Sequence, residues 1–216
     1  MRKAALVLII CAMALGSGGC LRLLGQFYVG LVKPKDYRDI PKEYDLTATK
    51  LVVVPYVPSD IQFEYPELAI EISNNIVYGV AANLKDKVKE IEYPIRVVQW
   101  QESNLDWPNL SLEEIGKVFG ADTVLYVELE RYSVLEENSA NLLRGRARGR
   151  IEVAKVGAPH NPVYSGVAEV VFPKDYPVNN LTVSERVMRQ NTNKLFGDEV
   201  ANKFHDRRVE VEPGQP

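Results

Sequence analysis

The stretch from Ser111 to Leu135 changes its hydrophobic period once, and that change requires a fold in which a helix feeds straight into a sheet. Leu112, Ile115, Val118 and Phe119 recur at helical spacing. Ser111 and Glu114 stand at capping-box spacing, which satisfies free backbone N–H groups at a helix start. Gly120 is the stop, because glycine enters the left-handed conformation at little cost. From Thr123 the period is two. Leu125, Val127 and Leu129 point one way, and Tyr126, Glu128 and Glu130 the other.

The flanking segments extend this pattern. Lys50 to Val57 is a continuous β-branched run, as expected of a strand buried on both faces, with Pro55 ending its regular pairing. Pro58 to Tyr65 reads as a loop. Glu67 to about Lys89 reads as a helix with Leu68, Ile72, Ile76, Val80, Leu84 and Val88 in one stripe. Ile95 to Trp100 reads as a second strand, and Gln101 to Leu110 as loop. After a turn at Asn138 to Asn141, Leu143 to Val156 alternates strictly. Arg144, Arg146, Arg148, Arg150 and Glu152 share one face; Leu143, Gly145, Ala147, Gly149, Ile151 and Val153 share the other. The small residues allow a helix to approach the sheet closely. Val163 to Phe172 returns as a strand, and short connections imply an antiparallel meander. Pro173 to Leu181 reads as loop. Thr182 and Glu185 repeat the capping-box spacing. Val183, Val187, Leu195, Val200 and Phe204 then predict a final helix to about His205, with Gly197 a candidate break. The fold class is α/β (α+β): a single mixed, largely antiparallel sheet of about five strands flanked by helices.

The N-terminus has signal-peptide anatomy. Arg2 and Lys3 precede an apolar run from Ala4 to Leu15, and Gly16-Ser17-Gly18-Gly19 leads to Cys20. The run is short for a membrane span. The small residues before Cys20 resemble a bacterial lipobox, whose cysteine is lipidated and becomes the first mature residue. Ser17 stands where that motif usually has leucine. Removing residues 1–19 leaves 24 basic against 29 acidic side chains, a net charge of about −5, and one cysteine, so no intramolecular disulfide. The acidity argues against a nucleic-acid partner. Residues 20–49, with an apolar Leu21 to Val32 and prolines at 34 and 41, read as a membrane-proximal tether and linker. Residues 50–208 read as the globular domain and 209–216 as a disordered tail.

Few residues suggest chemistry. His160 and His205 have no partner at metal-ligand spacing, no glycine loop has phosphate-binding order, and no serine sits in a nucleophile elbow. No catalytic residue, metal or cofactor is expected. Asp122 reads as a turn cap before it reads as an acid. Trp100 and Trp107 read as core before ligand groove. The arginine strand is the one unusual surface. It is a candidate partner-binding face, or it pairs with Glu128 and Glu130 on the neighbouring strand.

The order of elements then suggests a family. A Val-Val-Val strand, a helix, Phe119-Gly120-Ala121-Asp122 before an apolar strand, an Arg/Gly strand and a helix ending Ala201-Asn202-Lys203-Phe204 resemble a known envelope domain. It is the domain shared by the curli-secretion lipoprotein CsgG, the penicillin-binding-protein activator LpoB and the N-terminal part of TolB. The resemblance covers Lys50 to His205. It implies a non-catalytic, periplasm-facing role and carries over no catalytic residues. Pore formation does not fit, because the arginine strand would put a charge at every second position in hydrocarbon. The expected function is an outer-membrane-anchored accessory or scaffold lipoprotein. Cys20 carries its lipid and another envelope protein is its partner, with self-association open. The alternative is a periplasmic small-ligand or glycan-binding domain.

Overall fold

The computed structural model describes residues 36–211, so Cys20, the signal segment and Leu21 to Val32 lie outside it. The described chain falls into two compact units. In the first, strand β1 (Asp36–Ile40) pairs with β8 (Arg207–Val211), and Arg208 Nε donates to Asp39 at 2.8 Å. Residues 36–40 and 209–211 are therefore strand, where linker and disordered tail were expected. Their alternating side chains, Arg207-Arg208-Val209-Glu210-Val211, carry enough β-propensity to pair once a partner strand exists.

The second unit, Pro41–Arg207, holds a mixed sheet of six strands in the order β3-β2-β4-β5-β6, with β7 beside β5. The strands are β2 (Ala48–Tyr56), β3 (Val88–Ile91), β4 (Thr123–Leu135), β5 (Leu142–Lys155), β6 (Tyr164–Phe172) and β7 (Val178–Asn179). β2 runs parallel to β3 and β4; β4–β5, β5–β6 and β5–β7 are antiparallel. The sheet is open and has one strand more than expected.

β2 is buried from Leu51 to Pro55, and its side chains split between two cores. Leu51 and Val53 join the larger core with helices α2 (Leu68–Leu84) and α5 (Glu185–Asn202). Val52 and Val54 join the smaller one with α3 (Pro94–Ser103) and α4 (Leu112–Val118). Leu125, Val127, Ile72, Ile76, Val53 and Ile151 share the larger core, as their periodicity predicts. The α4 cap is a complete capping box of Ser111 and Glu114, and Gly120 follows at φ +59°, so that reading holds in detail.

Several local readings need correction. Ile95 to Trp100 is not a strand but the body of α3. Pro94 starts the helix, and the buried positions Pro94, Val97 and Gln101 recur at helical spacing. The strand is Val88–Ile91, which the preceding helix stripe had absorbed. Pro58 to Tyr65 is not wholly loop, since Ser59–Glu64 forms the short helix α1. Pairing does not stop at Pro55 but runs on to Tyr56 opposite Glu128. The final helix is capped by Ser184, whose hydroxyl accepts from Val187 N–H, and not by Thr182. α5 is continuous through Gly197. Its buried face is Met188, Thr192, Asn193, Phe196, Gly197, Val200 and Ala201, while Val187 and Leu195 are exposed.

Candidate functional site

The arginine face of β5 lies opposite the larger core. Gly145 and Gly149 let α5 close in from the core side. A Cβ on Gly145 would fall 1.7 Å from Thr192 Oγ1, and one on Gly149 would fall 3.0 Å from the Phe196 ring. On the other face every arginine has a carboxylate. Arg150 Nη2 reaches Glu128 at 2.5 Å, and Arg148 Nε reaches Glu130 at 3.0 Å. The cross-strand pairs expected from the sequence are thus present. The structure adds Glu169 on β6 as a second partner of Arg148 at 2.6 Å, and Glu136 for Arg146 at 2.5 Å and Arg144 at 3.8 Å. The hydrogen bond from Arg146 holds the Glu136 carboxyl below the usual carboxylate range. The arginine side chains remain 19–46% exposed, so this is an open, two-signed surface rather than a free basic one.

The other candidates have structural duties. Asp122 accepts hydrogen bonds from the backbone N–H groups of Thr49 (2.9 Å) and Lys50 (3.0 Å), tying the start of β2 to the turn before β4. His205 places Nδ1 3.0 Å from the Ala201 carbonyl at the end of α5. Glu92 is a buried acid that sequence reasoning missed. Burial raises its pKa, but the Lys50 ammonium at 2.9 Å, the Tyr93 N–H and Arg96 outweigh that and leave it below its ordinary value. It is a charged clamp between β2, the end of β3 and α3. Among the described residues no three His, Cys, Asp or Glu side chains gather as metal ligands would, and no helix is long and apolar enough to cross a membrane.

A cavity of about 410 Å³ opens at the carboxyl end of β2. β2 leaves toward α1 and α2, while its parallel neighbour β3 leaves toward α3, which packs on the opposite face of the sheet. Chains that diverge in this way leave a crevice beyond the strand ends. Tyr56, Ser59, Gln62, Gln101, Glu102 and Trp107 line it. The Tyr56 and Trp107 rings meet edge to face at 5.7 Å. Gln101 is 8% exposed, and its Nε2 donates to the Pro55 carbonyl at 2.7 Å. A carbonyl only accepts, so this bond fixes the amide's orientation. Gln101 Oε1 has no partner among the described residues and is not occluded, which leaves it open to the cavity. Trp100 instead packs edge to face on Phe119 in the smaller core. Both tryptophans pack against the smaller core, as the sequence reading has it, and Trp107 also lines the cavity. Gln101 and Glu102 escaped sequence reasoning because the helix that aligns them was read as strand and loop.

No protein-family model matches the chain, and no curated protein matches it significantly. Among solved structures it is similar to the PelC dodecamer from Paraburkholderia phytofirmans, at 11% identity and a TM-score of 0.45 over 81% of this chain and 99% of that one. It is similar also to lipoprotein GNA1162 from Neisseria meningitidis, at 17% identity and a TM-score of 0.40 over 67% of this chain and 99% of that one. A third is the hypothetical protein CT253 from Chlamydia trachomatis, at 13% identity and a TM-score of 0.38 over 72% and 92%. With TM-scores below 0.5, no activity, partner or assembly is read across.

Proposed function

We propose that the chain is an envelope lipoprotein, held by a lipid on Cys20 at the periplasmic face of the outer membrane, that binds another envelope protein as a non-catalytic accessory or scaffold. The grouping with the CsgG, LpoB and TolB domain belongs to this proposal. The observation that carries it is the N-terminal sequence, a basic start and short apolar run ending in small residues before Cys20. The arginine face of β5 supports a binding role. Arg148 and Arg150 are well exposed there, and all four arginines, Arg144, Arg146, Arg148 and Arg150, pair with carboxylates that a partner's groups could replace.

Two measurements test the proposal. Mass spectrometry of the mature protein should find a lipid-modified N-terminal Cys20, and Cys20→Ser should release the protein or leave it unprocessed. An unmodified Cys20 in mature protein overturns the anchor. Crosslinking in intact envelopes should then recover one stoichiometric envelope protein. Arg146→Glu with Arg148→Glu should abolish that capture. If the pair lowers the melting midpoint and leaves capture intact, the ladder is structural only.

The cavity at the carboxyl end of β2 favours a second reading, a periplasmic small-ligand or glycan-binding domain. A concave site lined by aromatic rings and an oriented amide is a usual form of small-molecule site.

A further inference from the structure

We propose that the β2 cavity binds a neutral saccharide of one or two rings. This rests on the second reading above and names its ligand class. The volume of about 410 Å³ lies in the range of small-molecule sites, about 300–1,000 Å³. Polar and apolar side chains both line it. Trp107 and Tyr56, the latter at the end of β2, are the aromatic side chains of the lining, their rings edge to face, and an aromatic face suits the C–H face of a pyranose ring. Facing groups come from α1 (Ser59, Gln62) and α3 (Gln101, Glu102).

Those groups match vicinal hydroxyls. An amide presents a donor and an acceptor side by side, and a carboxylate accepts two bonds. Gln101 is already oriented by Pro55, so its acceptor costs little further ordering when a ligand arrives. The side chains of Ser59, Gln62 and Glu102 have no hydrogen bond or ion pair to other described residues.

Other ligand classes fit less well. No lysine, arginine or histidine lines the cavity, so an anion finds no counter-charge. An organic cation would find Glu102, but the lining offers it two aromatic rings, too few to enclose it as a cage does. A purely apolar ligand would strip water from the amides and the carboxylate without replacing its hydrogen bonds.

The test is calorimetric titration of the full chain, kept in a detergent without a sugar headgroup. The probes are maltose, cellobiose and N,N′-diacetylchitobiose, with tetramethylammonium as the cation probe. At least one disaccharide should bind saturably. Trp107→Ala should raise its Kd about tenfold or more, and Trp107→Phe should keep most of the affinity. Glu102→Gln should weaken binding with an unchanged melting midpoint, since Glu102 is exposed. Saturation by tetramethylammonium and by no disaccharide overturns the saccharide assignment and leaves a ligand site. Binding that ignores Trp107→Ala overturns the location. No binding of any probe up to about 10 mM overturns both the saccharide and the ligand-site reading.

Discussion

Gly197→Ala reverses the sign that helix propensity alone would give. In an open helix interior the change stabilises by about 1 kcal/mol. In α5 the new Cβ would lie 2.6 Å from the carbonyl carbon of Asn75, 2.7 Å from its Cβ and 2.9 Å from its oxygen. Comfortable carbon contacts are about 3.5–4.0 Å, so α5 and α2 would have to part by roughly 1 Å. Asn75 lies inside α2, where intrahelical bonds hold its backbone, and no rotamer change relieves the clash. Parting the helices also loosens Gly79, whose own close neighbours are Ala201 and the Gly197 carbonyl. Overpacking costs about 1–3 kcal/mol, and a rigid backbone puts this case at or above the upper end. Less the propensity gain, the net loss is about 2 kcal/mol. At about 2–4 °C per kcal/mol for a chain of this size, the midpoint should fall about 4–8 °C. Urea and thermal unfolding followed by far-UV circular dichroism read both quantities. A raised or unmoved midpoint would refute close packing of α2 on α5.

Leu125→Ala, at a fully buried position of β4, should cost about 2–5 kcal/mol in urea unfolding, and a loss below about 0.5 would mean that the strand's faces are reversed. Asp122→Ala should cost about 1–2 kcal/mol through the lost bonds to Thr49 and Lys50, and should leave any envelope partner captured, as a catalytic or contact role would not. Hydrogen bonds from Lys87 and Lys42 depress the Asp45 pKa from 3.8 to about 2. A depressed carboxyl stabilises the fold above its unfolded pKa and loses that contribution as pH falls through the folded value. Between about pH 4 and pH 2 the wild type should therefore lose more stability than Asp45→Asn, and parallel acid limbs would refute the pairing.

The sequence was most legible where one period ran unbroken. β5 alternates over most of its length and β4 from Leu125 to Leu129, beyond which its register to β5 shifts, and the Gly145 and Gly149 positions foretold the close approach of α5. It was least legible between Leu84 and Leu110, where β-branched Ile95, Val97 and Val98 mimic a strand. Only their placement after Pro94, with Val97 and Gln101 inward, reveals a helix. The same misreading hid the cavity, since Gln101 and Glu102 converge on Trp107 and Tyr56 only once α3 is a helix. The α5 face was offset because its inward positions include Thr192 and Asn193, which hydropathy reads as outward. Asn193 is tolerated there because it accepts from the Tyr132 hydroxyl at 2.7 Å and donates to Glu71 at 2.7 Å.

The charge ladder begins where the helical cover ends. On one face of β4, Val124 is buried, Tyr126 and Glu128 are half-buried and Glu130 is exposed; on β5, Ala154 is buried, Glu152 half-buried and Arg150 exposed. α3 and α4 cover the first part of that face; beyond them Arg150 and Arg148 are the most exposed of the ladder. An apolar surface there would be a large exposed sheet patch, a liability for association. Alternating arginine and glutamate remove that liability without a covering helix. They also set a condition on any partner. Each arginine it recruits must give up a carboxylate it already holds, so much of the gain is exchange, and specificity would come from matching the two-signed pattern more than from net attraction. The cavity adjoins this same boundary, since Tyr56 in its wall pairs in register with Glu128, the first acid of the ladder. A ligand against Tyr56 would therefore sit beside the strand that carries Glu128, the partner of Arg150.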